Sequence, residues 1–329
     1  MASPQAGPVA FKDVFPEGHD APLVDPLPEA GHVGVDVEAL PDNPTHGLRL
    51  YQGTWVPENW VGGMAQIQSG GLAARPGDVV LASPPKCGTT WLKALAFATM
   101  ARAAHPPGAA DHPLLRHSPH ECVPFMEGFF GAGWGNKLDA LPSPRLVSTH
   151  MPYSVLPDCI KRNLGCKIVC GLNVALCPKN STTVSFSDVF ELTCEGKSTC
   201  GPIWEHILGY WNAKAPTKTL VLFLRYGEML QDTVSNVRKL AQFLRQPFSS
   251  AKEESGTAKA IVKLCSFDGL SGLEVNKTGN VGFRVRLLRQ SFFRKGGAGD
   301  WANHMTPEMA CRLDSVMRDK LHGLGLHFA

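Results

Sequence analysis

Four short, largely apolar runs punctuate the chain: Val79-Val80-Leu81-Ala82, Leu146-Val147-Ser148, Lys167-Ile168-Val169-Cys170, and Thr219 through Leu224. Apolar and β-branched runs of this length fit strands buried on both faces of a sheet. Between and after them the apolar spacing changes to three and four. Leu92, Leu95, Ala96 and Thr99 share one helical face, as do Trp204, Ile207, Leu208 and Trp211, and again Val237, Leu240, Ala241 and Leu244. Near the C-terminus Thr306 suits an N-cap, Pro307 the first helical position and Glu308 the first turn. Met309, Leu313, Val316 and Met317 follow as the buried stripe. Strands alternating with helices predict a single α/β domain, with a central parallel sheet flanked by helices.

Residues 1–45 are rich in Pro, Gly and Ala, carry scattered acids and show no sustained periodicity. They are expected to form a mostly disordered arm, with the folded domain spanning 46–329. At 329 residues and 43% hydrophobic, the chain can bury one large core. A charged fraction of 19% and a net charge of +3 give no reason to expect a nucleic-acid or membrane partner. No run approaches the roughly 18 apolar residues of a membrane span. The opening Met1-Ala2-Ser3-Pro4-Gln5-Ala6-Gly7-Pro8 lacks the basic-then-apolar order of a signal peptide, so a cytoplasmic location is expected. The ten cysteines form no Cys-x-x-Cys pair and no zinc-spaced cluster with histidine. Reduced thiols and no metal are therefore expected, with Cys166 and Cys170 as buried thiols flanking a strand.

The segment from Asp78 to Leu95 carries the sharpest chemistry. A buried strand ends at Ala82, a loop with Pro, Gly and Thr follows, and a helix begins near Thr89. Such a turn brings backbone N–H groups, two hydroxyls and a lysine to the positive end of a helix, a setting suited to phosphate. A nucleoside-triphosphate loop reads G-x-x-x-x-G-K-[ST], whereas here Lys86 precedes Gly88 and no acidic magnesium-holding strand is evident. A tight strand-to-helix turn with a capping threonine fits the same residues.

Pro85 to Trp91 resembles the 5′-phosphosulfate loop of the cytosolic sulfotransferases. Further matches follow in order: Ser143-Pro144-Arg145-Leu146-Val147-Ser148-Thr149-His150-Met151-Pro152-Tyr153, Leu224-Arg225-Tyr226-Gly227-Glu228-Met229, Cys265-Ser266-Phe267, and Phe292-Phe293-Arg294-Lys295-Gly296-Gly297-Ala298-Gly299-Asp300-Trp301. The plant-type members look most similar, and the resemblance runs over roughly residues 50 to 329. It implies a sulfotransferase whose donor is 3′-phosphoadenosine 5′-phosphosulfate and whose acceptor is a hydroxylated small molecule. Lys86, Cys87, Gly88, Thr89 and Thr90 would then hold the 5′ side, with Lys86 neutralising charge as the S–O bond breaks. Trp91 would lie against the adenine, Tyr226 would touch the nucleotide, and Arg294, Lys295 and Gly296 would grip the 3′-phosphate.

His150 closes a strand just before Met-Pro, at the sheet's carboxyl edge where α/β proteins place ligands. Histidine can take a hydroxyl proton near neutral pH, and the resemblance makes His150 the general base. Phe125, Phe129, Phe130, Trp134 and Tyr153 fit either an apolar acceptor pocket or core. Animal relatives often dimerise through a Lys-x-x-x-Thr-Val-x-x-x-Glu segment. Here Ala302-Asn303-His304-Met305-Thr306-Pro307-Glu308-Met309-Ala310-Cys311 lacks its lysine, valine and glutamate, so a monomer is expected.

One stretch departs from the family pattern. The third strand should exit into Arg-Asp-Pro-Lys-Asp, followed by a serine, and that arginine and serine bind the 3′-phosphate. Here the strand runs into Cys170-Gly171-Leu172-Asn173-Val174-Ala175-Leu176-Cys177-Pro178-Lys179-Asn180-Ser181, and no arginine lies between Arg162 and Arg225. The alternative to an active enzyme is a nucleotide-binding but catalytically impaired relative. An ATP-dependent small-molecule kinase is disfavoured by the lysine-before-glycine order.

Overall fold

The computed structural model describes residues 7–17, 34–43, 47–163, 165–172, 185–213, 220–283 and 285–323. A short antiparallel sheet leads in: β1 (Asp42–Asn43), β2 (Leu48–Tyr51) and β3 (Thr54–Pro57), followed by a helix, Glu58–Gln66. The central sheet comprises β4 (Val79–Ala82), β5 (Leu146–Thr149), β6 (Lys167–Leu172) and β7 (Leu220–Arg225). All are parallel, in the order β5-β4-β6-β7. These are the four apolar runs: β4 is unchanged, β5 runs on to Thr149, β6 to Leu172 and β7 to Arg225, with residue 219 outside the described residues. Val79 stands level with Leu146 and Lys167, and Ala82 with Thr149 and Cys170, so the carboxyl ends of the strands finish along one edge.

Alternation along each strand sends side chains into two cores. Val80, Ala82, Val147, Ile168, Cys170 and Val221 face one, with Phe129, Phe130, Trp134 and Tyr210 packed over them. Val79, Leu81, Leu146, Val169 and Leu224 face the other, covered by Leu92, Leu95 and Phe97 and by the helices Thr233–Phe243 and Thr257–Leu264. The predicted C-terminal helix spans Pro307–Lys320, with the Thr306 side chain accepting from Met309 N–H. Its Leu313 and Met317 pack against Phe190, Trp204 and Ile207 in a third cluster.

The opposite edge of the sheet is held by a buried ion pair. Arg145, just before β5, reaches Asp78, just before β4, at 2.6 Å, with the two side chains 1% and 6% exposed. The guanidinium also donates to the carbonyls of Ala73 and Leu138, so its fork is nearly filled.

The N-terminal residues correct an expectation. Within the stretch read as a disordered arm, residues 7–17 and 34–43 are packed onto the domain. Phe11 is fully buried, its ring edge-on to Phe129 at 4.5 Å and 5.0 Å from Phe15. Lys12 bonds Glu121 at 2.6 Å, and Asp13 accepts two bonds from Arg116. Such a segment has too few apolar residues for a core of its own, yet one aromatic can fill a socket made by distant residues. The remainder of 1–45 lies outside the described residues, as do 173–184 after β6.

Candidate active site at the carboxyl ends of the strands

The loop after β4 turns through two left-handed residues, Lys86 (φ 65°) and Gly88 (φ 84°), before the helix Thr89–Ala101 begins. Glycine is needed at 88 for that φ and for space, because a Cβ there would lie 3.0 Å from the Tyr226 ring. Gly88 is also the N-cap and has no side chain to cap the first N–H groups, which leaves the positive helix end open to an anion. Thr89 and Ser83 share a buried hydrogen bond of 2.7 Å. Thr90 Oγ1 lies 2.9 Å from His120 Nε2. Cys87, Gly88, Trp91 and Tyr226 line a small recess with Gly171 and Met229, and the Trp91 and Tyr226 rings meet edge-on at 5.6 Å.

The second cationic cluster comes to the same place from 200 residues away. Lys86 Nζ sits 5.5 Å from the centre of the Phe292 ring, and Phe292 lies 4.1 Å from the His120 ring. Arg294 is close enough to Tyr226 for its charge to oppose the upward push that burial gives the phenol. Gly296, at φ 66°, crosses the face of Phe267, where a Cβ would come within 2.4 Å of the ring. Lys295 and Arg294 both reach Asp300, at 2.5 and 3.3 Å, with His304 at 3.4 Å. The Lys295 hydrogen bond leads in holding the Asp300 carboxyl far below the usual range.

His150 follows β5 directly. Its Nδ1 lies 2.6 Å from the Ser83 carbonyl oxygen. A carbonyl can only accept, so Nδ1 carries the proton and Nε2 keeps the lone pair. Burial, aided by the charges of Lys93 and Lys86 and opposed by the Ser83 bond, pushes the imidazole down to about 4. The His150 N–H donates to Glu127 Oε1 at 2.7 Å, and the Thr149 hydroxyl donates to the same oxygen at 2.8 Å. Burial raises Glu127 to about 7 against those bonds.

The ring of His150 lies near-parallel to Trp60 at 5.7 Å and 4.9 Å from Phe125. Of the five aromatics proposed for a pocket or for core, Phe129, Phe130 and Trp134 are core, at 0%, 3% and 2% exposed. Phe125 and Tyr153 are half-buried, Tyr153 packing on Tyr210. Trp60, His120, Glu127 and Lys93 were not singled out in the sequence. Trp60 arrives on a helix with no local signal beyond an aromatic in an amphipathic stretch. Glu127 and Lys93 are charges inside apolar runs, which is the one signal that could have marked them. Among the described residues, no His, Cys, Asp or Glu cluster is arranged to hold a metal ion, and no helix is long and apolar enough to cross a membrane.

A parallel sheet whose first strand-loop-helix ends in an uncapped anion cradle, with a histidine and a second cationic cluster on the same edge, defines an α/β protein built for phosphate-like groups. The family is then specific: the sulfotransferase domain matches residues 76–172 and 171–325, and the chain belongs to that family of enzymes. Cytosolic sulfotransferase 8 of Arabidopsis thaliana is 40% identical over 307 residues, covering 88% of this chain and 91% of the relative. Flavonol 4′-sulfotransferase of Flaveria chlorifolia is 38% identical over 294 residues, covering 85% and 89%. The crystal structure of a candidate steroid sulphotransferase from Arabidopsis thaliana superposes with a TM-score of 0.69 at 30% identity, over 89% of this chain and 94% of that one. The two matched stretches of the domain meet at residues 171–172, at the end of β6.

Proposed function

We propose that the chain transfers a sulfuryl group from 3′-phosphoadenosine 5′-phosphosulfate to a hydroxyl of a small, flat, apolar molecule. The observation that carries this reading is the bond from His150 Nδ1 to the Ser83 carbonyl. It turns the unprotonated Nε2 into the available base and ties it to the first residue of the anion loop. The acceptor oxygen gives its proton to Nε2 as it bonds to sulfur, and the bond from sulfur to the bridging phosphate oxygen breaks. Lys86 and the open helix end meet the charge that develops on that leaving oxygen. Trp91 and Tyr226 offer apolar surface to an adenine, and Arg294, Lys295 and the Gly296 main chain offer the 3′-phosphate a cationic seat. Trp60 and Phe125, which meet edge-on at 4.9 Å and both pack against His150, favour a flat phenol or sterol. The named cytosolic relatives support a cytoplasmic location.

Purified protein incubated with radiolabelled donor and a panel of phenols, flavonols and sterols should yield labelled product. Absence of product across the panel, with donor bound, would instead support a second reading, nucleotide binding without turnover. One observation favours that alternative: the family's 3′-phosphate arginine has no counterpart after β6, since no arginine lies between Arg162 and Arg225.

A further inference from the structure

Lys93 is a lysine buried to 1% exposure on the helix Thr89–Ala101. A charge in that position is costly unless its protons are used. Two partners use them. Lys93 Nζ donates to the Val123 carbonyl at 3.0 Å and lies 3.2 Å from His120 Nδ1. Burial pulls the Lys93 ammonium down to about 7, and below that pH it has three protons and no lone pair, which makes Nδ1 the accepting nitrogen of His120. The ring proton then belongs to Nε2, which faces Thr90 Oγ1 at 2.9 Å. Thr90 is left with its own hydroxyl proton unspent on His120.

We propose that Lys93 and His120 are positioning residues that make the Thr90 hydroxyl a one-way donor toward the 5′ anion of the bound nucleotide. Thr90 is the second residue of a helix whose N-terminus opens on the loop, so a proton directed away from His120 is available on the side where an anion would sit. Thr89 differs, because its bond to Ser83 can run in either direction. The framework around His120 is fixed from two sides. Phe292 packs on the imidazole at 4.1 Å while lying under Lys86. The adjacent Glu121 is gripped by Lys12 and Arg289, each at 2.6 Å, and accepts from Ser118 N–H. The polarity of one hydroxyl in the donor loop is thereby set by a lysine on the helix that follows the loop.

This inference rests on the nucleotide site proposed above, and its test separates the two. The full chain is titrated calorimetrically at pH 6, where Lys93 is charged, with 3′-phosphoadenosine 5′-phosphate and with adenosine 3′-monophosphate, which lacks the 5′ anion. Lys93→Met and His120→Phe should each weaken the bisphosphate about 2- to 13-fold, the equivalent of one hydrogen bond. Both should leave adenosine 3′-monophosphate binding unchanged, and neither should cost anything further once Thr90→Val is present. His120→Phe leaves the helix core intact and reports the same coupling if Lys93→Met does not fold. Equal losses with and without Thr90→Val, or equal losses for both nucleotides, would show a packing role and overturn the proposal alone. An unaltered chain that binds neither nucleotide overturns the site reading and this inference with it.

Discussion

The Nδ1 of His150 lies 2.6 Å from the main-chain oxygen of Ser83, so the residue just after β5 is fastened to the residue that opens the loop after β4. Parallel register makes this contact possible, since Ala82 stands opposite Thr149 and each strand takes one further step before turning. The bond leaves Nε2 with the lone pair, and burial keeps the ring neutral at pH 7. His150→Ala should therefore lower turnover by about 10²- to 10⁴-fold. Calorimetric binding of 3′-phosphoadenosine 5′-phosphate should stay within about threefold, as His150 is not among the groups assigned to the nucleotide. Turnover close to the unaltered enzyme would remove His150 from the chemistry.

Acid should destabilise the fold well before ordinary carboxylates titrate. Burial lowers His112 and His150 to about 4 and His206 to about 3, from 6.5. Between those values the unfolded chain binds more protons, so the stability these groups lend is complete above pH 6.5 and is lost as pH falls toward 4. Glu127, raised to about 7, works the other way and offsets one of the three over pH 4.5 to 7. Each net proton is worth about 1.4 kcal/mol per pH unit. Urea midpoints should drop from pH 7 to 5.5, and His206→Phe should make that drop shallower. A midpoint that holds or rises at pH 5.5 contradicts the assignment.

Asp78→Ala should cost about 3–5 kcal/mol, because it removes the buried carboxylate of Arg145 and leaves the guanidinium to the half-exposed carboxylate of Asp139 at 3.0 Å. Urea denaturation would measure this directly. A loss under about 1 kcal/mol would place the pair among exposed bridges, against its burial.

Replacing residues 171–180 with an Arg-Asp-Pro-Lys-Asp exit and a following helix should tighten 3′-phosphoadenosine 5′-phosphate. One recovered arginine contact is worth roughly 1.5–3 kcal/mol, or about 10- to 150-fold. The lysine at 179 is a point charge and cannot reproduce an arginine's bidentate fork. Identical affinities in the two chains would show that Arg294 and Lys295 suffice.

Turnover should persist in EDTA if, as proposed, Lys86 and the open helix end supply the positive charge the leaving oxygen requires. Activity lost to chelator and restored by a divalent ion would displace that assignment. Light scattering at micromolar concentration should report a monomer, and a stable dimer there would count against it.

Much of the fold was legible because its signals are local. Each central strand is a short apolar run between breakers, and each flanking helix repeats its apolar residues at three and four. The packed pieces of residues 7–17 and 34–43 escaped notice for the converse reason. Phe11 has no periodic neighbours and gains its burial only from a socket that includes Phe129. Aromatic composition likewise could not separate Phe125, beside His150, from Phe129, Phe130 and Trp134 in the core.

Sequence by itself determined which residue types reach the carboxyl edge. A loop must follow β4, a histidine must follow β5, and Tyr226 must follow β7, because strand boundaries are set by runs of neighbouring residues. Tertiary structure alone decided how those groups are chemically poised. The tautomer of His150 depends on Ser83, 67 positions away, and the direction of the Thr90 hydroxyl on His120 and Lys93. Hydrogen-bond polarity and desolvation depend on which atoms meet in three dimensions, and no period along the chain encodes a meeting between strands.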